Sequence, residues 1–378
     1  MSVLADVYGE LLIVRPPVPA TCNKAGANYK SEVAHRVYSP RQAYDEWLSI
    51  CEAIVACGGD ALFADEAVDQ PYLGHAALTV DGDGDIRPEG ATEVLGNLAD
   101  VATGRVFTAN GPWVTVTAGG IRAVMPHMLP HRRGEASYYA ALLGRIADAS
   151  GQSLELVDNP HRWEGMADVA VVGERVVLTY AVPGHYDAGV GAKSERSSLA
   201  GVTFAADQAG VPVEARVYVE LVYPHFHGDT VHFGARPPAA PPVLVHYAGG
   251  LWGDGPAHLR AALGDVVPIG RADAVDYYAG NSRQVRDGLL VPEGVTDEFL
   301  AAMAGLGLTT HAVPLFELFG KAGGGPACAT LYLPRNLAVP AHAPFRYSVA
   351  RAAARARRET IPARLTVADE FFRGKHRG

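Results

Sequence analysis

The sequence predicts an α/β fold, and two observations carry that expectation. Five times a helical run ends at a glycine and gives way to an apolar, strand-like run, with further short apolar runs in between. Hydrophobic residues make up 48% and charged residues 19% of the 378, which is enough apolar surface for one large core.

In chain order, the first helix is expected from Pro40 to Cys57. Its apolar side chains recur at Tyr44, Trp47, Leu48, Cys51, Ile54 and Val55, the spacing of one helix face. Ser39 and Pro40 suit the N-cap and first helical position, Gly58-Gly59 suits the stop, and Ala61 to Ala64 follows as a strand. The same grammar predicts a helix from Glu135 to Ser150, then Gly151 and a strand from Leu154 to Val157. It recurs as Ser194 to Ala209, Gly210 and Val213 to Val222, and as Pro256 to Leu263, Gly264 and Asp265 to Ile269. Thr296 to Leu306, Gly307 and Thr309 to Leu315 make the last unit. The five glycines lie 93, 59, 54 and 43 residues apart, and intervals this uneven leave a doubly wound α/β sheet open as the alternative. Further strands are expected at Val114 to Val116, Val169 to Val172, Val176 to Tyr180, Thr230 to Phe233, Val243 to Tyr247, Leu289 to Val291 and Ala329 to Leu333. With no break in composition, residues 1–340 read as one domain and 341–378 as a C-terminal helical extension. The Pro- and Gly-rich stretch 234–256 reads as an insertion, and Arg351 to Arg358 as a solvated helix face.

Charge narrows the function. The 32 Lys+Arg against 41 Asp+Glu leave a net charge of −9, and with no long basic block nucleic acid is not an expected partner. No run of about 18 apolar residues is present, so no membrane span is expected. Met1 to Val14 holds Asp6 and Glu10 without a basic start, unlike a signal peptide. Four cysteines (Cys22, Cys51, Cys57 and Cys328) make no disulfide framework, and a cytoplasmic location with reduced thiols is the expectation. Oligomeric state is left open, with a homodimer as one arrangement.

Four clusters carry chemistry. Gly323-Gly324-Gly325-Pro326-Ala327-Cys328 places a thiol after a glycine run, where the backbone can approach a ligand closely. A buried structural cysteine is the competing reading. In His225-Phe226-His227-Gly228-Asp229-Thr230-Val231-His232, His227 with Asp229 two residues on suits acid/base work. A metal site is the lesser reading there, because strand alternation would direct the three histidines inconsistently and no Glu-His or Cys-x-x-Cys partner accompanies them. Trp163-Glu164-Gly165-Met166-Ala167-Asp168 offers paired carboxylates suited to a multi-donor cation such as guanidinium. Val106-Phe107-Thr108-Ala109-Asn110 sets an amide at the end of a strand-like run. Asp81 to Asp85 begins like a calcium loop, but Ile86 stands where Gly is needed and no Glu closes it.

In this order, with Arg132-Arg133-Gly134-Glu135 and the Asn281 region, the clusters resemble the pentein superfamily of guanidine-modifying enzymes. That superfamily includes arginine deiminases, dimethylarginine dimethylaminohydrolases, arginine dihydrolases and amidinotransferases. The resemblance runs over about residues 10 to 335. It implies a five-bladed α/β propeller of ββαβ units, in agreement with the five units found from periodicity. It also implies roles. Cys328 would attack the guanidinium carbon to form a thiouronium intermediate, and His227 would protonate the departing amine and then activate water. Asp168 and Asp229 would hold the guanidinium nitrogens and keep His227 protonated. Glu164, Asn110 and Asn281 would contact substrate, and Arg132 or Arg133 would bind a substrate carboxylate. An Asn at position 110, where several members carry Asp, resembles the arginine dihydrolase branch. Met166-Ala167 departs from the usual Gly-rich pair, and 189–196 matches the arginine-containing loop only loosely.

The expected function is a cofactor-free, metal-free cysteine hydrolase acting on the guanidino group of arginine or a derivative. An amidinotransferase sharing the same nucleophile, a non-catalytic binding protein on the same fold and a metal-dependent hydrolase built on His225, His227 and His232 are the alternatives.

Overall fold

A computed structural model describes residues 9–17, 37–63, 78–80, 85–88, 106–129, 132, 135–186, 196–361, 363 and 365–367. The chain enters through β1 (Leu11–Ile13) and β2 (Val37–Tyr38), then α1 (Pro40–Ala56). Ser39 Oγ accepts from the Gln42 N–H and Pro40 opens the first turn, so the helix starts where the cap residues predict. β3 (Asp60–Leu62) returns parallel to β1, and β4 (Leu78–Val80) and β5 (Asp85–Pro88) pair antiparallel.

A repeated ββαβ grammar follows. β6 (Trp113–Thr117) and β7 (Gly120–Met125) form an antiparallel pair, α2 (Ala136–Ser150) crosses over, and β8 (Leu154–Asp158) lies parallel to β7. β9 (Val169–Val172), β10 (Arg175–Tyr180), α3 (Leu199–Gln208) and β11 (Arg216–Glu220) repeat it. So do β12 (His232–Ala235), β13 (Val243–His246), α4 (Gly255–Leu263) and β14 (Val266–Pro268). After the short α5 (Arg271–Asp276) come β15 (Arg283–Val285), β16 (Gly288–Pro292), α6 (Asp297–Gly305) and β17 (Thr309–Val313) in the same pattern. Beyond α7 (Leu318–Ala322), β18 (Leu331–Tyr332) pairs antiparallel with β1, so the fifth three-stranded sheet is built from both ends of the chain.

The five glycines that end helices are the local reason the units repeat. Gly58, Gly151, Gly210, Gly264 and Gly307 all have φ between +66° and +80°. A residue with a Cβ is strained there, so glycine lets the helix stop and the chain turn back into a parallel strand.

Packing then ties the units together. Trp47, Trp113 and Trp163 are buried in the largest apolar cluster, which also takes in Ile54, Val176, Leu290 and Cys328. α8 (Tyr347–Arg357) lies on α1, with the Tyr44 hydroxyl donating to Ala354 O at 3.0 Å. Its basic run is more than a solvated face: Arg351 and Arg355 engage Glu52, and Arg358 engages Asp45, both on α1.

Three expectations change. The stretch 234–256 is no insertion, because β13 within it is the middle strand of its sheet. The helix expected from Ser194 begins at Leu199, where Ser198 Oγ caps Gly201 N–H. The C-terminal extension is not wholly helical: β19 (Leu365–Val367) joins β2, β5 and β4 in a four-stranded sheet. Among the described residues, no helix is long and apolar enough to cross a membrane.

Candidate active site

The repeat delivers one short turn ahead of the first strand of each three-stranded sheet. Thr108–Asn110 precedes β6, Gly165–Asp168 precedes β9, Gly228–Thr230 precedes β12 and Ala279–Asn281 precedes β15. The loop from Gly323 to Thr330 precedes β18. Each carries one of the residues singled out from sequence, and hydrogen bonds link turn to turn. Ala109 N–H donates to Cys328 O, Met166 N–H to Gly111 O and Ala327 N–H to Asn281 O.

Cys328 sits between two of these turns. Asn281 Oδ1 accepts from the Cys328 N–H at 2.9 Å, and Asn281 Nδ2 reaches Sγ at 3.0 Å and Asp229 O at 3.0 Å. Gly325 permits this: a Cβ there would stand 2.8 Å from Asn281 Oδ1. Sγ lies 3.3 Å from Asp229 Oδ2, so the thiol donates to the carboxylate. Burial, reinforced by the Asp229 charge, pushes the Cys328 thiol well above its ordinary pKa, while Asn281 opposes that rise. Burial also raises Asp229, to about 6, against the pull of His227 and Arg283.

His227 is held at both ring nitrogens. Nδ1 faces Asp168 Oδ2 at 3.2 Å, and Nε2 has two neighbours, Glu164 Oε2 at 3.2 Å and Asn110 Nδ2 at 3.2 Å. The Asn110 amide is fixed in that sense, because Oδ1 accepts from Arg132 Nη1 at 2.7 Å and Nδ2 donates to Glu164 O at 2.9 Å. A protonated Nε2 therefore donates to Glu164, and a deprotonated one accepts from Asn110. The ring therefore has a partner in either protonation state. Burial favours the neutral ring, but Asp168 and Glu164 outweigh it and raise the pKa to about 9. Every one of these side chains is buried, with Asp229 the most exposed at 9%, so their charges interact at low effective dielectric.

Asp168 is placed behind the histidine. Its Oδ1 accepts from the Gly228 N–H at 2.8 Å, and its Oδ2 accepts from Ser197 Oγ at 2.5 Å as well as facing His227. Those bonds set it against the ring, the half of the implied role that concerns His227; both oxygens are engaged within the protein. Arg132 is likewise drawn inward. Nε and Nη2 form a bidentate pair with Glu135 at 2.8 and 2.7 Å, and Nη1 braces Asn110, an arrangement suited to fixing the amide and not to clamping a substrate carboxylate. Glu164 Oε2 takes Arg196 Nη1 at 3.0 Å, and Oε1 accepts from the Leu129 N–H at 3.1 Å. Although burial pushes Glu164 up, Arg196, His227 and Arg132 hold it well below the usual carboxylate range.

All the expected site residues that are described come together; Arg133 lies outside the described residues, as does Cys22. The other histidines turn elsewhere: His225 Nδ1 to Thr230 Oγ1 and His232 Nε2 to Thr179 Oγ1. Among the described residues no group of three His, Cys, Asp or Glu stands ready to hold a metal ion. Ser197 belongs to none of the sequence clusters, Glu135 stands in one without an expected role, and Arg196 ends the loosely matching loop; all three touch the site through Asp168, Arg132 and Glu164.

No family model matches the chain, and no curated protein matches it in sequence. Solved structures do. The N-terminal domain of ArgZ, an arginine dihydrolase from the ornithine–ammonia cycle in cyanobacteria, superposes with a TM-score of 0.60 at 19% identity. That match covers 86% of this chain and 97% of the other. AgrE in complex with ornithine and NAD+ gives 0.60 at 19% identity over 87% of this chain and 40% of the other. DDAH from Pseudomonas aeruginosa, a cysteine-to-serine mutant complexed with citrulline, gives 0.56 at 16% identity over 86% and 100%. At such identities the likeness is one of fold, and function must come from the site.

Proposed function

We propose that this chain is a cysteine hydrolase of the pentein superfamily that acts, without a cofactor, on the guanidino group of arginine or an arginine derivative. One observation carries the reading. A thiol hydrogen-bonded to Asp229 shares its site with His227, whose ring nitrogens each lie 3.2 Å from a buried carboxylate, Asp168 and Glu164. The shared fold with an arginine dihydrolase and with DDAH supports the same class of substrate. The five three-stranded sheets are taken to close into a five-bladed propeller, with β18 completing the sheet of β1.

The steps follow from the geometry. A guanidinium entering between Asp229 and Glu164 brings positive charge to Sγ, which favours the thiolate and offsets the burial that holds the thiol protonated. The thiol proton passes to Asp229 Oδ2 and leaves with the departing nitrogen. Sγ attacks the guanidinium carbon, forming a C–S bond. The C–N bond to the departing nitrogen breaks as His227 Nε2 gives up its proton, so ammonia or an amine leaves and a thiouronium remains. Water then takes the place of the Asn110 amide at Nε2, the neutral ring takes a proton from it, and the hydroxyl adds to the same carbon. C–S cleavage returns the thiol. Asp168 and Ser197 keep the ring oriented, and Arg132 with Glu135 keeps Asn110 oriented. Cys328 must stay reduced to act, which fits a cytoplasmic setting.

Incubation with L-arginine, methylated arginines and agmatine tests this. Citrulline with ammonia reports one hydrolysis, and ornithine with ammonia and carbon dioxide but no urea reports two, the outcome that Asn110 favours. A new guanidino compound formed only when glycine or lysine is added would point to amidino transfer instead. Full turnover by Cys328→Ser would refute the mechanism.

A further inference from the structure

Glu46 lies in the middle of α1, 4% exposed, among Tyr44, Trp47, Ile50, Cys51 and Ile54. A carboxylate is costly in that company, and an apolar side chain would suit the helix better. Its oxygens reach across to the chain just ahead of the nucleophile. Oε1 accepts from the Glu317 N–H at 2.7 Å and Oε2 from the Leu318 N–H at 2.8 Å. Gln42, one turn earlier, adds a longer bond to Oε1 at 3.4 Å.

What Glu46 holds leads directly to Cys328. α7 starts at Leu318 and stops at Gly323, whose N–H bonds Phe319 O at 2.9 Å, and the chain passes through Gly324-Gly325 to the thiol. The Phe319 ring lies 5.2 Å from Tyr278, Tyr278 lies 5.9 Å from Phe226, and Phe226 lies 5.3 Å from His227. Tyr278 also enters the turn that carries Asn281. The placement of α7 thus bears on the thiol loop, on its Asn281 partner and, through three rings, on the general acid.

We propose that Glu46 is a positioning residue whose carboxylate, by holding the two amides at the start of α7, sets Cys328 against Asn281 and His227, and whose ionisation switches that hold. The proposal rests on reading Cys328 as the nucleophile. Burial lifts the Glu46 pKa to about 7, against the two amides and with a contribution from the facing charge of Glu317. The surrounding charges are otherwise engaged: Lys321 pairs with Glu317 at 2.6 Å, and Arg351, Arg355 and Arg358 of α8 engage Glu52 and Asp45. Once protonated, one carboxyl oxygen becomes a hydroxyl, a donor and a poorer acceptor, and its hold on one amide weakens. The grip is therefore tighter above about pH 7 than below it.

Iodoacetamide alkylation of Cys328, followed by peptide mass at pH 6 to 8.5, compares wild type with Glu46→Gln, which is neutral and offers one acceptor oxygen. Taking the ratio of the two rates cancels the pH dependence of the thiolate itself. The ratio is expected near one at pH 6 and about tenfold in favour of wild type at pH 8. A ratio flat with pH, in a variant of unchanged melting temperature, overturns the proposal. If Glu46→Gln does not fold, hydrogen exchange of wild type decides. Protection of the Glu317 and Leu318 amides should rise about tenfold from pH 6 to 8, and constant protection overturns the proposal. Alkylation needs no substrate. A protein that turns over no guanidino compound yet shows the rising ratio fails only the functional reading, and an active one with a flat ratio fails only the role of Glu46.

Discussion

Replacing Asp168 by Asn removes the carboxylate behind His227 while keeping its size. In the folded protein Asp168 and Glu164 raise the ring from 6.5 to about 9, against burial. Without the Asp168 charge the ring faces burial with Glu164 alone, and its pKa should fall back to about 6.5 or below. The proton on Nε2 is what the leaving nitrogen needs, so the rate follows the protonated fraction. From pKa values of about 9 and about 6.5, wild type and variant differ by less than about twofold in that fraction at pH 6 but by about 80-fold at pH 8.5. An Asn amide facing Nδ1 also disturbs the ring's tautomer, so the variant should be slower at every pH. The diagnostic quantity is therefore the alkaline limb of kcat/KM, expected near pH 9 in wild type and near or below 6.5 in the variant. NMR titration of labelled histidine gives the same answer without substrate. An unchanged alkaline limb, or a wild-type ring that titrates near 6.5, would refute the electrostatic argument.

Other outcomes follow from the same structure. Gly325→Ala puts a Cβ against Asn281 Oδ1, and it should lower kcat at least tenfold while circular dichroism stays native. Burial lowers His225 to about 4 and His232 to about 3, the latter with help from the charges of His246 and His225. Because the unfolded chain protonates first, that stability is present above pH 6.5 and is lost as pH falls toward those values, by about 1.4 kcal/mol per pH unit for each ring. Urea unfolding between pH 6.5 and 5 should show the slope, and His232→Gln should reduce it. Ile54→Ala, at a fully buried position in the main core, should cost about 2–5 kcal/mol in the same assay. Glu135→Gln frees Arg132 from its bidentate partner and should weaken the bracing of Asn110, with kcat falling more than KM rises.

Much of this was legible in the residues because its causes are local. A Ser-Pro start, an apolar stripe and a glycine stop are decided within one helix, and Ser39, Pro40 and the five positive-φ glycines perform as expected. Cys328, His227, Asp229 and Asn110 could be picked out because each sits in a short motif of unusual composition. The stretch 234–256 reads as an insertion for the opposite reason: its Pro and Gly flank a strand whose membership depends on β12 and β14, and composition says nothing of pairing partners.

Tertiary structure alone decided how those residues are used. The amino-acid order determined five helix–Gly–strand units, a soluble-type composition and a set of chemically apt side chains. It left open that Asp168 lies behind the imidazole, that Arg132 turns to Glu135, and that Glu46 reaches amides 271 and 272 positions away. A hydrogen bond depends on separation in space, and here that separation is set by how five sheets bring their leading turns together. Each such contact joins residues that no periodicity or motif relates, so only packing could choose among the partners their chemistry allowed.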